Sequence, residues 1–149
     1  MNQIAAVISK DQAISSRVIR LVNSAFYGLS RRISSIQQAI VILGLRTVKN
    51  LVLGVSVVKA FNDYSRTSSF DRKQFWMHSF ACAMESKLIA ERIHLHEPND
   101  YFMSGLLHDI GLLIEEQYLH DEFVQLLDYS AKERLPFTDV EKKYMGLTH

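Results

Sequence analysis

Two side chains that can bind a metal ion or share a proton, His108 and Asp109, are adjacent in the sequence. The other residues from 106 to 114 are aliphatic apart from one glycine, which is typical of a buried helix. A polar group buried without a partner costs about 2–7 kcal/mol, and a charged group costs more. The pair therefore requires a metal ion, a hydrogen-bonded network, or a position at the edge of a cleft.

A further candidate ligand, His78, lies about thirty residues upstream in the sequence FWMHS. Successive residues on a helix point about 100° apart, so His108 and Asp109 reach one ion only from the edge of their helix. We therefore expect His78 to approach them from a second helix. Three protein ligands can hold a catalytic metal with one position open, but the same residues also suit a structural His–Asp pair. Both interpretations stay open.

Several further motifs occur in a fixed order along the chain. They are RLVNSAFYG at 20–28, RISSIQQAI at 32–40, LGLR at 43–46, FWMHS at 75–79 and GLLHDIG at 105–111. In this combination the chain resembles the HDOD family, the HD-related output domains, over nearly its whole length. The resemblance implies an all-α, multi-helix bundle and a part in bacterial signal transduction, often fused to receiver, cyclic-dinucleotide or other output modules.

The resemblance also implies a site, because HD phosphohydrolases bind an ion through a His, a His-Asp pair and a final Asp, and the ion activates a water against a phosphoester. His78, His108 and Asp109 match the first three positions, and His149 matches a further histidine of related domains. The final Asp is expected in a later helix, beyond His149. The cofactor is then none or a divalent ion of iron, manganese or zinc, and Asp109 is catalytic if the domain is an enzyme.

Two departures from the catalytic pattern favour a function without catalysis. Leu112 stands where many catalytic HD proteins have a lysine, and the HHExxxGxGYP region of the cyclic-dinucleotide hydrolases is absent. The leading hypothesis is a non-catalytic regulatory domain that binds a partner protein or a small ligand. The alternatives are a metal-dependent phosphohydrolase acting on a nucleotide or phosphoester and, secondly, an RNA- or nucleic-acid-binding regulator.

The RLVNSAFYG motif and the loop after it supply the candidate residues for binding a ligand or partner. These residues are Asn23, Ser24, Tyr27 and Arg32. They fall at the end of a predicted helix and in a loop that lacks helical periodicity. They suit either the lining of a ligand cleft or the local structure of the loop, and the arginine is a candidate for contacting an anion.

Charge is distributed unevenly between the two halves of the chain. Residues 1–73 carry eleven Lys and Arg against three Asp and Glu, a net charge of +8, whereas residues 74–149 carry six against thirteen, a net charge of −7. The halves either complement each other or the basic half attracts a phosphate-bearing ligand, a nucleic acid or an acidic signalling partner. The positive charges are scattered, which makes nucleic acid the weaker of these hypotheses.

Composition indicates a single cytoplasmic domain with no membrane partner. A hydrophobic content of 48% and a charged content of 22% are ordinary for a globular protein. The longest apolar stretch, 39–58, is interrupted by charged residues and predicts no membrane span. The single cysteine, Cys82, suits a reducing compartment and is interpreted as a small core residue in mid-helix.

The apolar periodicity predicts helices throughout and no strand. We expect one domain over 1–149, with a basic helical part at 1–61 and an HD-like core at 69–149. The resemblance implies additional helices at both ends. Capping boxes are predicted at 68–71 and 138–141. Ser34 or Ser35 is expected to cap the helix at 37–43, and Gly44 to end it. The long helix that follows the first capping box is expected to run to about His94, with its core face formed by Phe75, Phe80, Ala83, Met84, Leu88 and Ile89. The helix that begins at Pro98 is expected to carry the His-Asp pair and continue towards Tyr118, with a bend at Gly111.

Overall fold

The computed structural model describes residues 2–25, 27–62 and 70–149, and the regular elements in these ranges are all α-helices. The all-α prediction is therefore confirmed. The chain divides into two compact units, Met1–Asp63 and Tyr64–His149. Among the helices of the described ranges, none is long and apolar enough to cross a lipid bilayer.

The first unit contains α1 (Asn2–Lys10), α2 (Gln12–Val22), α3 (Ile36–Leu43) and α4 (Leu45–Asn62). Two of these helices begin with a side chain that caps a backbone amide of the first turn. The Asp11 carboxylate accepts a hydrogen bond from the Ile14 amide at 2.9 Å, and the Ser35 hydroxyl accepts one from the Gln38 amide at 3.2 Å. Gly44, with φ of +83°, ends α3, and both the serine cap and this glycine stop were predicted.

The second unit contains α5 (Arg72–Arg92), α6 (Pro98–Leu107), α7 (Ile110–Tyr118), α8 (His120–Glu133) and α9 (Phe137–Tyr144). Phe123 is completely buried at its centre. Its ring contacts Phe70 and Phe137 edge-on, with ring centroids 5.4 and 5.5 Å apart. This aromatic cluster packs parts of the chain that lie far apart in sequence.

Helices α5 and α6 approach each other closely at Gly105 and Ala83. The core face predicted for α5 is only partly correct. Met84, Leu88 and Ile89 were expected to face the core, but their exposed fractions are 39%, 55% and 60%. Phe75 and Ala83 are buried, as predicted, and the small residue Ser79 lies on the same buried face of α5. A close approach of two helix backbones leaves room for small side chains and excludes long ones.

The break between α6 and α7 falls at the His-Asp pair, so the prediction of a continuous helix bent at Gly111 was wrong. Helix α6 ends at Leu107 and α7 begins at Ile110. The His108 Nδ1 atom lies 2.8 Å from the Gly105 carbonyl oxygen. A continuing helix would use that same carbonyl to accept from the amide of Asp109, so the imidazole competes with the helix at this point.

Both predicted capping boxes are replaced by other contacts. Asp71 is itself the cap of α5, since its carboxylate accepts from the amides of Lys73 and Gln74 at 2.9 and 3.0 Å. The serines proposed for that role, at 68 and 69, lie outside the described residues. Helix α9 begins at Phe137, and Glu141 is fully buried against His149. Its carboxylate therefore bonds to the His149 imidazole and not to the first residues of α9.

Candidate functional site

The second unit brings together the three residues predicted to converge on one ion. The His108 Nε2 atom lies 2.9 Å from the Asp109 Oδ2 atom, and the His78 Nε2 atom lies 3.7 Å from the same oxygen. The two imidazole centroids are 5.3 Å apart. His78 comes from the first half of α5, and the other two residues form the junction of α6 and α7. Their role as metal ligands stays a prediction.

The orientation of His108 fits either a metal ligand or a structural pair. If Nδ1 carries the proton and donates it to the Gly105 carbonyl at 2.8 Å, the Nε2 lone pair is available to an ion. If both nitrogens carry protons, the ring donates to Gly105 on one side and to Asp109 on the other. The donor set of two imidazoles and a carboxylate matches divalent iron, manganese or zinc.

His149, which the resemblance matched to a further histidine of related domains, lies beside Asp109. Its side chain is only 14% exposed, and its Nδ1 atom lies 2.7 Å from the Glu141 carboxylate. The Nε2 atom on the other side of the ring lies 4.0 Å from Asp109 Oδ1. The ring also stacks on Phe137, with centroids 6.1 Å apart. A β-carbon at Gly111 would lie 2.9 Å from the His149 Cα atom, so only glycine fits here without displacing the backbone.

A buried carboxyl pair, Glu115 and Glu141, lies behind His149 and was not predicted from the sequence. Burial raises the pKa of Glu115 to about 7, and a hydrogen bond and charge repulsion from Glu141 act in the same direction. The adjacent Glu116 is completely buried and forms an ion pair with Arg72. Two successive glutamates inside the apolar helix IGLLIEEQY were the available sequence evidence for buried acids.

The raised pKa of Glu115 predicts that the protein loses stability as pH rises. Between about pH 4.5 and about 7 the folded protein retains a proton that the unfolded chain has released. The stabilisation is complete below about pH 4.5 and disappears as pH rises through about 7. Urea unfolding across this range measures the effect. Glu115→Gln should flatten the dependence of the free energy of unfolding on pH, whereas Glu122→Gln, at an exposed position, should not. Equal slopes against pH in both variants would contradict the raised pKa of Glu115.

In the first unit, the Asn23 side chain holds the loop that follows α2. Its amide nitrogen donates to the carbonyl of Ile19 at 2.9 Å and of Ile33 at 2.8 Å, and its carbonyl oxygen accepts from the Ile33 amide at 2.8 Å. Ser24 donates to the Leu21 carbonyl at 2.6 Å. The polar atoms of both candidates therefore already bond to the backbone, which favours the structural interpretation for them.

Asn23→Ala is expected to lower the free energy of unfolding by about 1–3 kcal/mol, because it removes the partners of the Ile33 amide and carbonyl. The stability of Asn23→Asp should lie between those of the wild type and the alanine variant. Its carboxylate can still accept from the Ile33 amide but cannot donate to the Ile33 carbonyl. Urea unfolding of the three proteins measures this order. An alanine variant with unchanged stability would instead favour a binding role for the side chain.

The remaining candidates of this loop differ in accessibility. Burial raises the pKa of Tyr27 to about 12. Arg32 is exposed and lines a surface cleft of about 340 Å³ together with Asn23, Leu29 and Arg31. Two of the four predicted residues, Asn23 and Arg32, therefore line this cleft, and Arg31 places a second guanidinium group there.

Comparison with known proteins decides the family. The sequence model of the protein family described as "HDOD domain" matches residues 1–149. The chain belongs to the HDOD family.

Three solved structures resemble this HDOD domain, and each aligns with 99% of it. An HDOD domain protein of unknown function from Geobacter sulfurreducens has a TM-score of 0.87 and 31% identity. A Shewanella amazonensis protein named "Putative phosphohydrolase" has a TM-score of 0.80 and 26% identity. The MmoQ response regulator from Methylococcus capsulatus has a TM-score of 0.51 and 26% identity.

The chain spans only part of these proteins. It covers 49%, 51% and 57% of the three solved chains. It also covers 26% and 32% of the length of two curated relatives. The activities of the longer proteins are therefore proposals for this HDOD domain.

The remaining histidines and the cysteine of the HDOD domain differ in their surroundings. His94 and His96 are exposed, whereas His120 is largely buried and its Nδ1 atom lies 3.2 Å from the Glu116 carbonyl. Cys82 was interpreted as a core residue, but it is only half-buried, and its sulfur lies 3.6 Å from His78 Nε2. Its i,i+4 spacing from His78 on a helix was the sequence evidence for this contact.

Proposed function

We propose that this HDOD domain is a non-catalytic regulatory domain of bacterial signal transduction, which binds a partner protein or a small ligand. The position of the His108 ring carries the proposal. Its two nitrogens lie 2.8 Å from the Gly105 carbonyl and 2.9 Å from the Asp109 carboxylate, so the doubly protonated ring can satisfy both polar groups without an ion. The similarity to a response regulator supports a signalling role.

The cleft beside Arg31 and Arg32 supports an anionic ligand or an acidic partner. Both side chains are exposed, and guanidinium groups bind phosphate and carboxylate through paired hydrogen bonds. The surrounding half of the chain is basic, which favours the approach of a negatively charged molecule. Asn23 contributes by fixing the loop on which both arginines stand.

The test combines a binding measurement with an assay for hydrolysis. Calorimetric titration with inorganic pyrophosphate should detect an affinity that falls with salt and is lost in the Arg31→Gln, Arg32→Gln double variant. Arg92→Gln, an exposed arginine at the end of α5, is the matched control and should bind as the wild type does. The same protein should not hydrolyse bis(p-nitrophenyl) phosphate with added manganese, iron or zinc. Equal binding by the double variant, or hydrolysis, would contradict the proposal.

A metal-dependent phosphohydrolase is the second candidate, favoured by the convergence of His78, His108 and Asp109. The similarity to the Shewanella protein also supports it. An ion held by these residues would supply Lewis-acid activation of a water against a phosphoester. Asp109→Asn would then abolish metal-dependent hydrolysis, and any hydrolysis that survives this substitution would point to a contaminant.

A further inference from the structure

Cys82 lies beside the histidines of the HD motif, where it adds a sulfur to the available ligands. It follows His78 by one helical turn on α5, and its Sγ atom lies 3.6 Å from Nε2 and 4.0 Å from Nδ1 of that ring. His108 approaches from the junction of α6 and α7. Ligand atoms of His78, Cys82 and His108 all lie within 4.8 Å of one another.

The spacing of these atoms suits a small tetrahedral ion. Zinc binds thiolate sulfur at about 2.3 Å and imidazole nitrogen at about 2.0–2.1 Å, so a tetrahedral site separates the two ligands by about 3.6 Å. The observed separation of Cys82 Sγ and His78 Nε2 is 3.6 Å. The His78 side chain is 58% exposed and can rotate towards an ion that arrives from solvent.

The surroundings of His108 prepare its ring to bind a metal. The Gly105 carbonyl lies 2.8 Å from Nδ1, so a proton held there leaves the Nε2 lone pair directed away from this carbonyl. A metal-binding histidine commonly has such a partner on its second nitrogen. Asp109, whose Oδ2 atom lies 2.9 Å from Nε2, is available beside the site as a further ligand or as a hydrogen-bond acceptor.

We propose that Cys82, His78 and His108 form a thiolate–imidazole site that binds zinc(II). The sulfur is the decisive group, because thiolate favours zinc over manganese and magnesium, which prefer oxygen ligands. Binding converts the Cys82 thiol to a zinc-bound thiolate and releases its proton to solvent, with no change of oxidation state. The site does not depend on the regulatory role proposed above, since a partner or anion can bind elsewhere on the domain.

Cobalt(II) is the first probe, because thiolate bound to cobalt absorbs strongly in the near ultraviolet and a site of nitrogen and oxygen ligands does not. We expect one equivalent of cobalt to produce this band, zinc to abolish it, and excess manganese or magnesium to leave it unchanged. Binding without the band would overturn the role of Cys82, as would an absence of binding.

Two substitutions test the ligands individually. Cys82→Ala should abolish the cobalt band and weaken zinc binding by about tenfold or more, since loss of a mere partner of a ligand already costs about 10–100-fold. His78→Ala should have a similar effect on zinc affinity. His96→Ala is the control, because that side chain is 94% exposed, and it should bind zinc as the wild type does. Unchanged zinc affinity in Cys82→Ala would overturn the proposal.

The wild-type protein provides a measurement that does not depend on the folding of any variant. The chain contains one cysteine, so its reaction with a chromogenic disulfide reports on Cys82 alone. Zinc should slow this reaction by about tenfold or more, because bound thiolate is protected, and a chelator should restore the rate. Equal rates with and without saturating zinc would show that the metal lies elsewhere.

Discussion

Arg72→Met is expected to lower the free energy of unfolding by about 3–5 kcal/mol, because it leaves a buried charge without its partner. The Glu116 side chain is completely buried on α7, and the Arg72 guanidinium, at the start of α5, forms an ion pair with it. His120 Nδ1 lies 3.8 Å from the other carboxylate oxygen and compensates only in part. Urea unfolding monitored by circular dichroism measures the loss.

A double variant separates the ion pair from simple loss of packing. Arg72→Met combined with Glu116→Met removes both charges, and burying apolar groups in place of an ion pair is often neutral or stabilising. We expect the double variant to recover most of the stability. Lys73→Met, at the exposed position next to Arg72, should change stability by no more than about 0.5 kcal/mol. A double variant as unstable as the single one would contradict the explanation.

The helix ends could be predicted because the residues that define them act locally. The Ser35 side chain bonds to an amide three residues ahead, and Gly44 ends α3 because it adopts a positive φ. Pro98 likewise begins α6. The exposed face of α5 could not be predicted in the same way. Met84 and Leu88 have the spacing of core residues but are exposed, whereas the small residue Ala83 lies against Gly105 of α6.

The site was predictable to the extent that a motif marks it. The HD pair and the upstream histidine could be recognised from their residue types and spacing. The fold brings the Nε2 atoms of His78 and His108 within 3.7 Å of the Asp109 Oδ2 atom. Glu141 was misinterpreted because the letters of a capping box are the same whether the acid bonds to a helix end or to a distant imidazole. Its partner, His149, became evident only from the tertiary structure.

Gly105→Ala is expected to destabilise the protein by about 3 kcal/mol and to disturb the site as well. A β-carbon at this position would lie 2.7 Å from the Cys82 carbonyl oxygen and 2.8 Å from the Cα and N atoms of Ala83. These are backbone atoms, so no side-chain rotation can relieve the overlap and α6 must move away from α5. The penalty exceeds the gain of about 0.5–1 kcal/mol that alanine normally brings to a helix.

The same displacement should weaken the proposed zinc site, because His108 follows α6 whereas His78 and Cys82 stand on α5. Unfolding in urea gives the loss of stability, and cobalt titration under native conditions gives the loss of affinity. Ser104→Ala, on the exposed face of the same helix, is the control and should change neither quantity appreciably. If Gly105→Ala proves as stable as the wild type, the close contact between α5 and α6 is wrong. The distances between His78, Cys82 and His108 that depend on this contact would then be wrong as well.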